Sequence, residues 1–230
     1  MTYVIDPPRQ PSVAIHGTDA RFPVRRIFCV GRNYADHVRE MGNDPKDEPP
    51  IFFTKPADAV VANGAAIAYP TETSNLHHEV ELVLAIGRGG AGIAVERALE
   101  HVWGYAVGVD LTRRDRQNEA KKAGAPWDAA KGFDNSAPVG ALAPATGAMA
   151  RGRIWLSVNG QTRQDANLDQ MIWSAPEIIA ALSRTWALAP GDLVFTGTPA
   201  GVGPLVPGDA VVCGVEGLPE LMFSIGEKVA

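Results

Sequence analysis

Two acids interrupt an apolar run at Leu76-His-His-Glu-Val-Glu-Leu-Val-Leu-Ala-Ile86, and their spacing is the first sign of chemistry in this chain. In a strand, side chains alternate with period two, so Glu79 and Glu81 point to one face while Val80 and Leu82 point to the other. Ionised carboxylates resist burial without a compensating charge, and two in one pocket resist it more. A bound cation is the simplest remedy, set against the alternative of a surface strand with one wetted acidic face. A third acid, Asp110, closes the β-rich run His101-Val-Trp-Gly-Tyr-Ala-Val-Gly-Val-Asp110, at the kind of strand end where sites are commonly built. Three carboxylates with no cysteine cluster nearby specify a hard, oxygen-preferring ion: Mg²⁺ or Mn²⁺, with Ca²⁺ also admissible and zinc less suited.

Other polar residues have spacings that suggest roles. Arg114 and Gln117, three apart on a helix following Asp110, can present a guanidinium and an amide to a substrate carboxylate. His37 and Glu40 are also three apart, which on a helix puts them on one face, where the carboxylate would orient the imidazole as a general base for water. Spacing alone equally describes an exposed pair on a polar helix. His77 and His78 flank the acids; His78 would face away from Glu79, which suits packing or support of the site better than ligation.

The elements that must position these groups are mostly short strands. Apolar β-type runs occur at residues 12–16, 24–30, 51–55, 65–69, 76–86 and 101–110. Asn159-Gly160 marks a hairpin, and Pro-Gly-Asp recurs as a turn feeding a strand. Helices are expected at 35–41, 94–100 and 115–123, the last ended by Gly124, and from a Ser174 cap to about Trp186. The turn-rich segment Gly42 to Pro50 suggests that the helix before it is a lid. Strands outnumber helices without regular strand–helix alternation, so the fold class expected is α+β, mostly β. Residues 1–22 read as an N-terminal extension that packs on a catalytic domain spanning 23–230.

The chain has 230 residues, 46% of them hydrophobic, enough for a full core. A net charge of -5 with scattered basic residues argues against nucleic acid as a partner. Cys29 and Cys213 lack metal-type spacing and read as reduced, buried thiols. No run approaches membrane-spanning length and the start of the chain has no leader pattern, so a soluble, cytoplasmic protein with no membrane partner is expected.

Six segments in order complete the reading: Gly31-Arg-Asn-Tyr-Ala-Asp-His-Val-Arg-Glu40, Phe53-Thr-Lys-Pro56, His78-Glu-Val-Glu-Leu82, Gly108-Val-Asp-Leu-Thr112, Lys131-Gly-Phe-Asp134 and Thr196-Gly-Thr-Pro-Ala-Gly-Val-Gly203. Together, from about Arg25 to the C-terminus, the chain resembles the fumarylacetoacetate hydrolase family, and within it the short acylpyruvate hydrolases. The resemblance implies a rolled mixed β-sheet with peripheral helices and a short N-terminal lid helix, and a homodimer. It implies a metal held at Glu79, Glu81 and Asp110, with Lys131 beside it and His37 and Glu40 activating water. It also directs Thr198 of the glycine-rich segment to a pyruvoyl carboxylate, with Arg32 a weaker candidate for the far end of the substrate. The expected reaction is metal-dependent hydrolysis of the C–C bond of a small β-diketo acid. The case expected first is fumarylpyruvate, giving fumarate and pyruvate in aromatic (gentisate) catabolism. Two alternatives stay open: oxaloacetate decarboxylation, or isomerisation or decarboxylation of a 2-oxo-diene-dioate, at the same metal; and a non-catalytic, metal-stabilised binding protein.

Overall fold

The computed structural model describes residues 2–34 and 49–228. The expected lid helix, with His37 and Glu40, lies outside the described residues. The central element is the strand Val80–Ile86, buried along its whole length. It pairs antiparallel with Val102–Val109 on one side and Asp192–Phe195 on the other. Asp192–Phe195 runs parallel to Arg26–Gly31, which pairs antiparallel with the edge strand Ile51–Lys55; Ala143–Pro144 closes the far edge. A second sheet has five strands, in the order 161–167, 153–158, 210–215, 221–228 and 66–69. Its hairpin turns on Asn159 and Gly160, both at positive φ (51° and 76°), as an Asn-Gly two-residue turn demands.

Alternation along Val80–Ile86 divides the interior. Leu82, Leu84 and Ile86 pack toward Ile154, Leu156 and Cys213 of the second sheet and toward Ile178, Ile179 and Leu182 of the helix Ala175–Thr185. Val83 and Ala85 face a separate cluster with Cys29, Ala106, Val139, Leu193 and Phe195. Both cysteines are free and buried, one in each cluster. The N-terminal hairpin Ser12–Ala14/Arg21–Pro23 sets Val13 and Phe22 into the second cluster.

Two expectations need correction. The run 76–86 is not one strand: Leu76–His78 pairs with Thr112–Arg113 and Gly203–Leu205 in a small three-stranded sheet, and Glu79 is the break before Val80–Ile86. There the Val80 N–H leaves the ladder and donates to Gln164 Oε1 at 3.0 Å. The segment expected as a helix at 94–100 forms a 3₁₀ helix, Val95–His101. No capping side chain satisfies its first N–H groups, and Val95 is β-branched, so little favours a full α-turn. The helix with Arg114 and Gln117 spans Arg114–Ala123 and ends on Gly124 in the left-handed conformation (φ 63°). The other spans Ala175–Thr185, where Ser174 and Glu177 form a capping box. Among the described residues, no helix is long and apolar enough to cross a membrane.

Candidate metal centre and active site

Antiparallel pairing makes the site. Val80 lies opposite Val109 and Glu81 opposite Gly108, so Glu79 falls opposite Asp110, joined by the Asp110 N–H to Glu79 carbonyl bond at 2.8 Å. Facing residues in such a pair share a side. Glu79, Glu81 and Asp110 therefore converge although the strand breaks, and one carboxylate oxygen from each lies within 4.8 Å of the other two. All are buried: Glu79 is 8% exposed, Glu81 1% and Asp110 0%. Gly108, on the same face, leaves no room for a side chain, since a Cβ would stand 2.6 Å from Val83 Cγ2 and 2.8 Å from Phe195 Cε1.

Cations of the chain itself surround the acids. The Lys131 ammonium, at the end of the short helix Asp128–Lys131, donates to Asp110 Oδ2 (2.6 Å), Thr112 Oγ1 (2.7 Å) and Glu79 Oε2 (2.9 Å). Lys55 stands 2.8 Å from Asp110 Oδ1 and donates to the carbonyls of Leu111 and Lys131. Arg114 donates to Glu79 Oε1 and to Gln117 Oε1, and its Nε reaches His77 Nδ1 at 3.4 Å. Glu79 and Asp110 thus meet three cations, while Glu81 has none within ion-pair distance among the described residues.

The balance is uneven within the trio. Burial raises the Glu79 carboxyl, but Lys131 and Arg114 outweigh it and hold the pKa down at about 2. Glu81 has no such pair: burial, then the Asp110 and Glu79 charges, push it well above the usual carboxylate range, against the Gly197 N–H that donates to its Oε2 at 2.6 Å. Burial disfavours the Lys131 charge, yet Asp110 and Glu79 more than compensate and raise its pKa, so it remains an ammonium. Asp110 Oδ1, an ion-pair neighbour of Lys55 at 2.8 Å, is a buried acceptor without a hydrogen-bond partner among the described residues. Three buried carboxylates with an oxygen of each gathered within 4.8 Å are a ligand set that fits a hard divalent ion.

The remaining expected groups are near. Gln117 is buried and accepts from Arg114, whose guanidinium, expected on a substrate carboxylate, also donates to Glu79. Thr198 follows the Gly197 that binds Glu81, and its Oγ accepts from Gln164 Nε2 at 2.8 Å, leaving its own O–H to donate elsewhere. His78 is buried with Nδ1 2.9 Å from Gln164 Oε1, a packing position. His77, its pKa lowered to about 4 by burial and then Arg114, is a neutral prop for that guanidinium. Arg32 is exposed with φ 58°.

Four supporting residues carried no expected role. The signal at Lys55 was a lysine closing an apolar strand just before a proline. Thr112, two residues after Asp110, orients Lys131. Asn33 clamps the glycine-rich loop, donating to the Thr196 and Trp173 carbonyls at 2.7 and 2.9 Å and accepting from the Trp173 N–H at 2.7 Å. Tyr34, next to it, has a buried hydroxyl without a hydrogen-bond partner among the described residues.

Comparison with known proteins identifies the family. The family described as fumarylacetoacetate (FAA) hydrolase, C-terminal, matches residues 26–225. A solved structure of fumarylpyruvate hydrolase from Pseudomonas aeruginosa, in complex with Mn²⁺ and pyruvate, is 51% identical. It superposes with a TM-score of 0.95 over 99% of this chain and 100% of that one. The fumarylpyruvate hydrolase of a Ralstonia species is 45% identical over 80% of this chain and 96% of its own. A mitochondrial oxaloacetate tautomerase of Mus musculus is 43% identical over 87% and 91% of the two chains.

Proposed function

Because the chain belongs to the fumarylacetoacetate hydrolase family, we propose that it hydrolyses the C–C bond of an acylpyruvate, with fumarylpyruvate the first candidate, using Mg²⁺ or Mn²⁺ held by Glu79, Glu81 and Asp110. The observation that carries the reading is the convergence of those three buried carboxylates beside the Lys131 ammonium. When bound, a divalent ion supplies Lewis acidity to the adjacent oxygens of a 1,3-dicarbonyl acid.

The protein's own groups do the rest. Lys131 keeps a fixed positive charge at the centre, placed by Thr112 and by Lys55 through the Lys131 carbonyl. Such a charge favours the oxyanion that develops when the C–C bond breaks and pyruvate leaves as its enolate. Arg114 and Gln117 hold Glu79 in register, and the free O–H of Thr198 donates to the pyruvoyl carboxylate. His37, oriented by Glu40, takes the proton of the water that attacks the distal carbonyl and later returns one to the enolate carbon. With Lys55, Lys131 and Arg114 already beside the acids, a loaded site carries excess positive charge that suits a substrate bearing both a carboxylate and an enolate. The family resemblance adds a homodimer, to be read by sedimentation velocity, and a place in aromatic breakdown.

The test follows the enol absorbance of fumarylpyruvate with Mg²⁺, with Mn²⁺ and with a chelator. Metal-dependent decay giving fumarate and pyruvate in equal amounts is expected. No decay under any metal condition overturns the reading. The similarity to an oxaloacetate tautomerase favours one second reading, enolisation or decarboxylation of oxaloacetate at the same centre. Hydrolysis needs a water base and decarboxylation does not, so His37→Ala should abolish the first and spare the second.

A further inference from the structure

A cavity of about 380 Å³ reaches from Lys131 to the surface, with Phe53, Thr54, Pro126, Trp127 and Trp186 among its walls. One wall is a run of aromatic rings. Lys131 Nζ stands 5.0 Å from the Phe53 ring centre, Phe53 lies 5.8 Å from Trp127, and the far side of this run carries Lys121, its Nζ 5.3 Å over the Trp127 ring. Trp127 also backs onto Gly31, where a Cβ would be 3.6 Å from its Cζ3, so Arg32 leaves the chain beside the same indole.

This arrangement gathers positive charge where it could have been spread. Lys121 and Arg32 are both exposed and sit on separate elements, so neither local structure forces them together. Burial, then Arg114 and Arg32, lower the Lys121 pKa, and Lys131 adds to the same repulsion. The carboxylate that pulls most strongly against this, Glu79, is already shared between Lys131 and Arg114. Two cations beside the indole that walls the cavity, whose strongest attracting carboxylate is already shared, form a receptor for an anion. Flat rings along the approach suit a planar, conjugated chain.

We propose that Lys121, assisted by Arg32, receives the second carboxylate of the substrate, while the planar acyl chain lies along the Phe53–Trp127 wall; the site thereby selects acylpyruvates whose acyl group ends in a carboxylate. The inference rests on the hydrolase reading for its kinetics, but its binding half stands apart from it.

The test compares wild type, Lys121→Gln and Lys121→Arg with fumarylpyruvate and with acetylpyruvate, which lacks the second carboxylate. Fumarate and pyruvate are also titrated calorimetrically into the Mn²⁺-loaded proteins. Lys121→Gln should raise KM for fumarylpyruvate about tenfold more than KM for acetylpyruvate, with kcat changed less, and should weaken fumarate binding about tenfold more than pyruvate binding. Lys121→Arg should recover most of both differences. Equal effects on the two substrates and the two ligands, or no effect on either, overturns the assignment. If wild type turns over neither diketo acid the hydrolase reading fails, and fumarate titration still decides on Lys121: binding lost in the Gln variant supports it, binding retained or absent from wild type overturns it.

Discussion

Glu79 and Glu81 are chemically identical, two residues apart and both buried, yet their substitution should have opposite consequences for the metal-free protein. Glu79 is paired with Lys131 and Arg114, so Glu79→Gln strands two cations and should destabilise the chelator-treated protein by about 3 kcal/mol in urea unfolding. Glu81 is held against burial and the Asp110 and Glu79 charges, so Glu81→Gln should leave the metal-free protein as stable as wild type or more so. Both should weaken Mn²⁺ binding by calorimetry; a destabilised metal-free Glu81→Gln protein would contradict the electrostatics described. Tyr34→Phe removes a buried hydroxyl that has no partner among the described residues, so it should cost nothing or stabilise by about 1 kcal/mol in the same assay. The acids were legible from alternation and from the end of an apolar run, because both depend only on neighbours in the chain. Asn33 and Gln164 were not, because their partners lie 163 and 84 residues away and no local pattern marks a side chain that bonds to distant backbone.

The elements around the site hold one another by polar links as well as by packing. Asp115, in the first turn of the helix that carries Arg114 and Gln117, accepts from Thr73 Oγ1 at 2.7 Å and from the Ser74 N–H at 3.0 Å, tying the helix start to the loop before Leu76. Burial acts to raise its pKa, but these hydrogen bonds prevail and lower it. A depressed carboxylate pKa contributes stability above the unfolded value and loses it as pH falls through the folded value. Asp115→Asn should therefore be less stable than wild type at pH 7 by about 1 kcal/mol, and the gap should close as the solution is acidified below the ordinary aspartate range. A gap that persists there would assign the loss to packing. Helix ends and the Asn-Gly hairpin were legible because caps and turns obey short-range rules. The break at Glu79 was not, because an apolar run reads the same whether one sheet or two receive it.

For the molecule as a whole, the order of strands was beyond local reading. The sheet joins residues 192–195 to 26–31 and to 80–86, and such pairings are settled by the burial of two faces at once. The class was still evident, since many short β-type runs with few helical ones leave little else. At one hundred times its Kd, Mn²⁺ should stabilise the native protein by about 2.7 kcal/mol. For a chain of this size that is a rise of roughly 5–10 °C in Tm by differential scanning fluorimetry. A flat Tm across that titration would contradict a built cation site. The set of three acids and three cations has one more consequence. Its members come from the edge strand at Lys55, the Glu79 break and Glu81 just beyond it, the end of the Val102–Val109 strand, the helix at Arg114 and the short helix at Lys131, so the full set forms only when these elements meet. Half-assembled forms must keep those charges in water, and the acids are buried only when every contributor has arrived. The cluster is thus a checkpoint for assembly: misregister of a strand that carries one of its members would leave that charge without its partner.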